Sequence, residues 1–233
     1  SNISGLAATT KYYVRAYATS TAGTAYGNEV NFTTLAANQI SDIEGNTYNT
    51  VTIGSQTWMK ENLKTTKYRD GTAIPIVTDN TAWFALTTGA YCWYNNDIAN
   101  KTTYGALYNY FTVVNSHNLC PNGWHIPTDV EWTTLTTYLG VLNVVGGYLK
   151  ETGLAHWKTP NTGATNSSNF TALPGGLRGS NVFSGITESS NLWSSTTAST
   201  SNSWQRSLNY NSSSVTKSNS INTAGFSVRC IKD

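Results

Sequence analysis

Side chains able to do chemistry are few in this chain, and their spacing does not converge. The three histidines, His117, His125 and His156, lack the i,i+4 spacing that sets two imidazoles on one helix face, so each reads as a structural or surface residue. There are three cysteines, Cys92, Cys120 and Cys230, and an odd count leaves one unpaired within the chain. No C-x-x-C string is present, which argues against zinc or thioredoxin-like chemistry. Glu61, Asp70, Asp97, Asp129, Glu131, Glu151 and Glu188 show none of the paired placement that a two-carboxylate glycosidase needs. Neither G-x-S-x-G nor a phosphate-binding loop occurs. The expectation is therefore a protein that is not an enzyme and has no catalytic residues and no cofactor. One metal reading stays open, a structural calcium through Asn95, Asn96 and Asp97, although Asn-Asn-Asp is more often simply a turn.

Binding needs less than catalysis: a rigid scaffold and a polar-aromatic face. Residues 194–224 supply that composition, with Trp204, Arg206, Tyr210 and Lys217 set among Ser, Thr and Asn. Aromatics that anchor and small polar groups that adapt are the composition of paratopes. Strand alternation over Trp204–Tyr210 puts Trp204, Arg206, Leu208 and Tyr210 on one side and Gln205, Ser207 and Asn209 on the other. Leu208 marks its side as partly core, which makes Arg206 a buried or half-buried anchor and leaves Gln205, Ser207 and Asn209 exposed. Trp204 and Tyr210, at the strand ends, fit either surface. The candidate ligand-binding residues are Trp204, Gln205, Asn209, Tyr210, Asn211, Lys217 and Asn219.

These residues need a scaffold, and its clearest signal is Cys120–Gly140. Thr128 followed by Glu131 has capping-box spacing, Pro127 forces an extended entry, and Asp129 suits the positive helix N-terminus. Trp132, Leu135 and Leu139 then share one helix face, with Gly140 as the stop. Upstream, Tyr48–Ile53 and Gln56–Asn62 predict a hairpin across Gly54-Ser55. Tyr68–Ile76 carries the Asp70-Gly71 turn signal, and Trp83, Trp93 and Tyr94 are expected to be buried or half-buried. Tyr104–Val114 has the length of a short helix, though its aromatic and β-branched content also admits a strand. Residues 159–171 read as loop, and Trp204–Tyr210, Ser213–Lys217 and Phe226–Ile231 as strands.

The N-terminal stretch is organised separately. Tyr12–Ala18 alternates, Glu29–Thr33 follows as a second strand, and Ser20–Gly27 joins them. Two strands alone are marginal in water, so this hairpin must pack on something. Leu35–Gln39 reads as a linker. Domains are expected at 1–37 and 38–233.

Bulk properties set limits on partners. A net charge of +2, with only 11% charged residues, argues against nucleic acid and against a polybasic membrane surface. No run of 18 apolar residues exists, so no membrane span is expected. Eight Trp and fourteen Tyr, with abundant Ser, Thr and Asn, suit an extracellular β-rich protein. The opening residues start in mid-pattern, so the chain reads as cut from a longer secreted precursor.

Several of these strings carry a resemblance. WHIPTDVEW looks like the R-L-P-T-E-A-E-W signature of the formylglycine-generating-enzyme branch of the C-type lectin fold. GNTYNTVTIGSQTWMKENL (45–63), YGALYNYF (104–111), LCPNGWHIPTDVEW (119–132), LPGGLRG (173–179), LWSST (192–196) and GFSVRCIKD (225–233) more closely resemble the Fibrobacter succinogenes major paralogous domain of secreted Bacteroidetes and Fibrobacteres proteins. The resemblance covers about residues 38–233. It implies an α+β, C-type-lectin-like fold with two helices and several short antiparallel strands, to which the N-terminal β-hairpin is added. It also implies that Tyr104–Val114 is the first helix and that Cys120 pairs with Cys230, leaving Cys92 free and buried. The sugar-binding lectins' Glu-Pro-Asn is absent and their Trp-Asn-Asp position reads Trp193-Ser194-Ser195, so calcium-dependent sugar binding is not implied. No Cys lies between Cys120 and Cys230, so the oxidase activity is not carried over either. Leu6 to Ala18 resembles the last two strands of a fibronectin type III module, implying neighbouring Ig-like domains in the same longer chain.

The expected function is an extracellular, cell-surface binding module that recognises a protein or a glycan on another surface. An adhesin whose late strands have been diversified fits, because lectin-fold proteins diversified by retroelements vary this region, and Ser and Thr are each one adenine change from Asn. A structural spacer in a surface appendage and a carbohydrate-active accessory module remain open beside it.

Overall fold

The computed structural model describes residues 3–179 and 182–233. The chain divides into two compact units, one ending at Ile40 and the other running from Ser41 to Asp233. In the smaller, β1 (Lys11–Ser20) and β2 (Gly23–Thr33) form an antiparallel hairpin with a register shift between Arg15 and Tyr17. The expected connection Ser20–Gly27 contracts to Thr21-Ala22, because strand pairing extends to Ser20↔Gly23. Tyr12 stacks on Phe32 and Arg15 pairs with Glu29 at 3.0 Å, while Tyr13, Tyr17, Tyr26 and Val30 stay exposed. β3 (Gln39–Ser41) lies at the boundary.

The larger unit is α+β. Its first strands are β4 (Thr47–Ile53) and β5 (Gln56–Met59), followed by α1 (Asn80–Phe84), β6 (Tyr91–Cys92), α2 (Asn100–Tyr104), β7 (Leu107–Tyr108), α3 (Tyr110–Val113) and β8 (Trp124–His125). The two longer helices are α4 (Asp129–Leu139) and α5 (Leu142–Leu149). The closing strands are β9 (Gly175–Arg178), β10 (Phe183–Ile186), β11 (Ser189–Thr197), β12 (Asn202–Asn209), β13 (Thr216–Ile221) and β14 (Ile231–Lys232). One sheet has the order β10-β9-β11-β12-β13, antiparallel except where β9 meets β11. In the other, β4-β5-β14-β8, the last strand of the chain lies between β5 and β8.

Helix α4 forms as its cap predicts. Thr128 Oγ1 accepts from the Glu131 N–H at 3.2 Å, and Glu131 Oε2 accepts from the Thr128 N–H at 2.8 Å. Its buried face carries Trp132 and Leu135 onto Trp58, Phe170, Leu192 and Leu208, with the Trp58 and Trp132 rings 4.7 Å apart. A second cluster gathers Trp83, Ala90, Cys92, Tyr94 and Leu107, and Trp93 is buried as well. Cys92 is free and has no solvent exposure, so burial pushes its thiol up to about 11.

The expectation of two helices needs correction: five α-helical segments occur among the described residues, three of them only four or five residues long. The segment Tyr104–Val114 is not one helix. Gly105, at φ 75°, ends α2; β7 then pairs with β6; and the Asn109 side chain caps α3 by accepting from Thr112 N–H. Both the helix and the strand suggested by its composition are therefore present, in succession.

Long irregular segments must still satisfy their backbone carbonyls. Three cationic side chains without solvent exposure do part of this. Lys150 Nζ donates to the carbonyls of Thr162, Asn209 and Ser212 at 2.8–3.0 Å. Arg229 donates to those of Phe170 and Thr171, and also to Asn62 Oδ1. Arg178 donates to the carbonyls of Val77, Thr78 and Asp79, with its guanidinium 4.4 Å from the Trp83 ring.

Close approach also explains Gly146-Gly147 in α5. A Cβ on Gly147 would lie 2.0 Å from the Gly163 carbonyl oxygen, and one on Gly146 would lie 2.3 Å from that of Ser214. Both obstacles are backbone. Gly147→Ala is therefore expected to destabilise the larger unit by about 1–3 kcal/mol through overpacking. Gly179→Ala, where the nearest atom is 3.5 Å away, should be near neutral. Urea denaturation of the two variants checks this, and equal midpoints would refute the close packing.

Candidate functional site

The β11–β12–β13 sheet holds the residues expected to bind, and α4 crosses one of its faces. Arg206, on β12, is 4% exposed and pairs with Asp129 at the start of α4, Nη2 to Oδ1 at 2.9 Å. Lys217, opposite Arg206 on β13, reaches the other oxygen of that carboxylate at 2.8 Å. The same ammonium stands 4.2 Å from the Trp204 ring centre. Burial of Asp129 works against its charge, but hydrogen bonds from Lys217 and Arg206 outweigh it and hold the carboxyl below its usual range. One carboxylate thus fixes two cations, and one of these fixes an indole.

Beside this group runs a groove of about 350 Å³, walled by Thr133, Thr136 and Thr137 of α4, by Leu142 and Val215, and by Arg206 and Lys217. Hydroxyls, two partly compensated cations and a neighbouring indole can hold a polar or acidic ligand group through hydrogen bonds and charge. Asn219 lies across from Trp204 and accepts from Asn202 Nδ2 at 3.2 Å.

The structure does not bring all the expected ligand residues together. Trp204, Lys217 and Asn219 form one group. Asn209, Tyr210 and Asn211 lie at the far end of β12, roughly 17 Å along the strand at 3.3 Å per residue. There the Tyr210 ring packs against the main core with the Lys158 ammonium 5.1 Å away, Lys158 pairs with Glu188, and Lys150 holds the Asn209 carbonyl. Gln205 is a correction: expected to be exposed, it is 6% exposed, and its Nε2 donates to Ser218 Oγ. The reason is that β12 is covered on both faces, by α4 on the Arg206 side and by the Trp193–Tyr110–Phe226 cluster on the side Gln205 shares with its cross-strand partner Trp193. Arg206 is the anchor expected. Its pairing with Asp129, 77 positions away, has no local signal in the sequence.

The three histidines pair with carboxylates as clips. His117 contacts Asp70, and His156 contacts Glu151 at 2.8 Å. His125 bridges Glu131 at 2.8 Å and Asp233 at 2.6 Å, tying β8 to α4. Cys120 and Cys230 form a disulfide with a Cα separation of 6.0 Å, closing a span of 110 residues. In chain-entropy terms that closure stabilises by about 5 kcal/mol. Asn95 and Asn96 take left-handed turn conformations, and the Asp97 carboxylate accepts from Ala99 N–H. No group of three His, Cys, Asp or Glu able to hold a metal ion occurs among the described residues. No described helix is long and apolar enough to cross a membrane.

Burial disfavours a charge on His125, but hydrogen bonds to Asp233 and Glu131 outweigh it and raise its pKa above 6.5. A raised folded pKa gives stability that is fully present below the unfolded value and lost as pH rises through the folded one. His125→Gln should therefore cost less than about 1 kcal/mol at pH 5.5 and nothing measurable at pH 9. Thermal melting of both proteins across that range checks it, and an unchanging difference would refute it.

A family model described as the Fibrobacter succinogenes major domain matches residues 51–232. Nothing matches among curated proteins or among solved structures.

Proposed function

The chain belongs to the Fibrobacter succinogenes major domain family, and on that premise we propose that its larger unit is a non-catalytic, C-type-lectin-like binding module working outside the cell. It recognises a protein or a glycan on another surface through its C-terminal strands and loops. The lectin-like reading is supported by the disulfide from the segment before α4 to the segment entering the last strand, and by two longer helices set against short-stranded sheets. The extracellular reading is supported by the same disulfide, since such bonds persist in oxidising compartments. The hairpin at the start of the chain serves as the closing strands of a fibronectin type III-like module, linking this unit to neighbouring Ig-like domains.

The observation that carries the binding reading is the Arg206–Asp129–Lys217–Trp204 group at the groove. An indole and an ammonium held rigid before a ligand arrives lose little conformational freedom on binding. The imidazoles and carboxylates paired as structural clips support a role without catalysis.

The test is a Trp204→Ala/Lys217→Ala double variant, with Arg206 and Asp129 left paired. Wild-type protein is screened against immobilised glycans and surface proteins, and the variant is measured on whatever binds. Loss of the anchors should weaken binding by about 30-fold, which corresponds to about 2 kcal/mol for a hot-spot pair, and leave the melting temperature within a few degrees. Undiminished binding would eliminate this face as the site.

A further inference from the structure

β13 is the terminal strand of its sheet, and nothing among the described residues pairs with its outer side. The register fixes which backbone groups face outward. Asn222 N–H donates to the Ser201 carbonyl, continuing the β12–β13 ladder, so residues 201 and 222 form a hydrogen-bonded pair. Antiparallel pairs alternate, so Ser220, Ser218 and Thr216 bond inward to β12, and Lys217, Asn219 and Ile221 turn their N–H groups outward. The Ile221 carbonyl is taken by Ala224 N–H; those of Lys217 and Asn219 lie along the edge.

Proteins usually guard such an edge with a charged side chain, a proline or a bulge. None of these operates here. The one charged residue of β13, Lys217, is turned onto Trp204 and Asp129, over the sheet face instead of past its edge. The strand contains no proline, and its pairing with β12 has no register shift.

A recess lies at each end of this edge. At the Lys217 end is the groove beneath α4. Beyond Ile221 is a second recess of about 350 Å³, lined by Phe84 of α1, Phe111 of α3, Ile221 and Thr223. The α4 groove opens on the Arg206 side of the sheet, and α3 packs on the opposite side through Tyr110 against Trp193. Side chains of an extended strand alternate between two sides, so one short segment laid along β13 reaches both recesses.

We propose that the outer edge of β13 receives an extended segment of a partner protein by antiparallel strand addition. The partner's acidic side chain meets Lys217, and an aromatic or large aliphatic side chain, five positions away, across from Asn222 and on the other face, enters the recess lined by Phe84, Phe111 and Thr223. Backbone hydrogen bonds to Lys217, Asn219 and Ile221 supply the affinity, and the two recesses supply the choice of sequence. This inference rests on the binding reading above and narrows its partner to a peptide segment.

The probe is the synthetic peptide acetyl-Phe-Val-Ser-Thr-Val-Glu-amide, fluorescently labelled and titrated by anisotropy against the full chain. Asn219→Ala, which removes the side chain and keeps the outward N–H, is the reference at this position. Asn219→Pro, which removes an outward N–H and no ladder bond, should bind at least tenfold more weakly, as should Lys217→Ala. Peptides methylated at alternate amides test the same point without altering the protein: one set should lose binding and the other retain it. Equal binding by Asn219→Ala and Asn219→Pro, or by both methylated sets, would overturn strand addition. A stable dimer of the chain, lost in Asn219→Pro and seen by sedimentation, would overturn it in favour of a second copy. If the edge results fail while the Trp204→Ala/Lys217→Ala variant still loses its ligand, the face binds something other than a strand. If both fail, the face is not a binding site.

Discussion

The larger unit depends on cations buried where no solvent reaches them. Lys150, Arg178 and Arg229 have no solvent exposure, and their hydrogen-bonding groups meet mainly backbone carbonyls of loops instead of carboxylates. A bare buried charge is costly, and burial depresses Lys150 to about 8 and also lowers Arg229. Each charge is kept by several carbonyl dipoles at hydrogen-bonding distance and by an aromatic face: Trp157 for Lys150, Trp83 for Arg178 and Phe170 for Arg229. The same contacts satisfy carbonyls of irregular segments, among them those of Thr162, Phe170 and Thr171.

The proposed binding face is anchored in the same way. Lys150 pins the Asn209 and Ser212 carbonyls at the far end of the β12–β13 pair. Arg206 pins the middle of β12 to the start of α4. The β13 side, with Lys217, Asn219 and Ile221, faces outward. Rigidity on one side and an unpaired edge on the other suit a surface that adds a partner without refolding.

Much of the scaffold was legible because its signals are local. The α4 cap needs only Thr128 and Glu131, three positions apart. The β4–β5 hairpin needs alternation and Gly54-Ser55, although β5 stops at Met59. The Cys120–Cys230 bond came from resemblance, and the family match agrees with that resemblance. The site was half legible. Alternation placed Arg206 and Leu208 inward, but it also left Gln205, Ser207 and Asn209 exposed; Gln205 is buried and the other two are half-buried, because chain packs on both faces of β12.

The sequence by itself determined the main helix with its cap and the turns, since each follows from spacing within a few residues, while the α+β character came from the resemblance. The abundance of Asn had a local meaning that composition did not reveal: Asn95, Asn96, Asn118, Asn161, Asn166 and Asn169 all occupy left-handed positions that few other side chains tolerate. Tertiary structure alone decided the pairing of Arg206 with Asp129, the turn of Lys217 onto Trp204, the separation of Asn209–Asn211 from that group, and the open edge of β13. Both the ion-pair and the ring contacts join different elements, Arg206 with Asp129 across 77 positions and Lys217 with Trp204 across two strands. They are set by how sheets and helices stack, and periodicity within one segment carries no record of what packs against it.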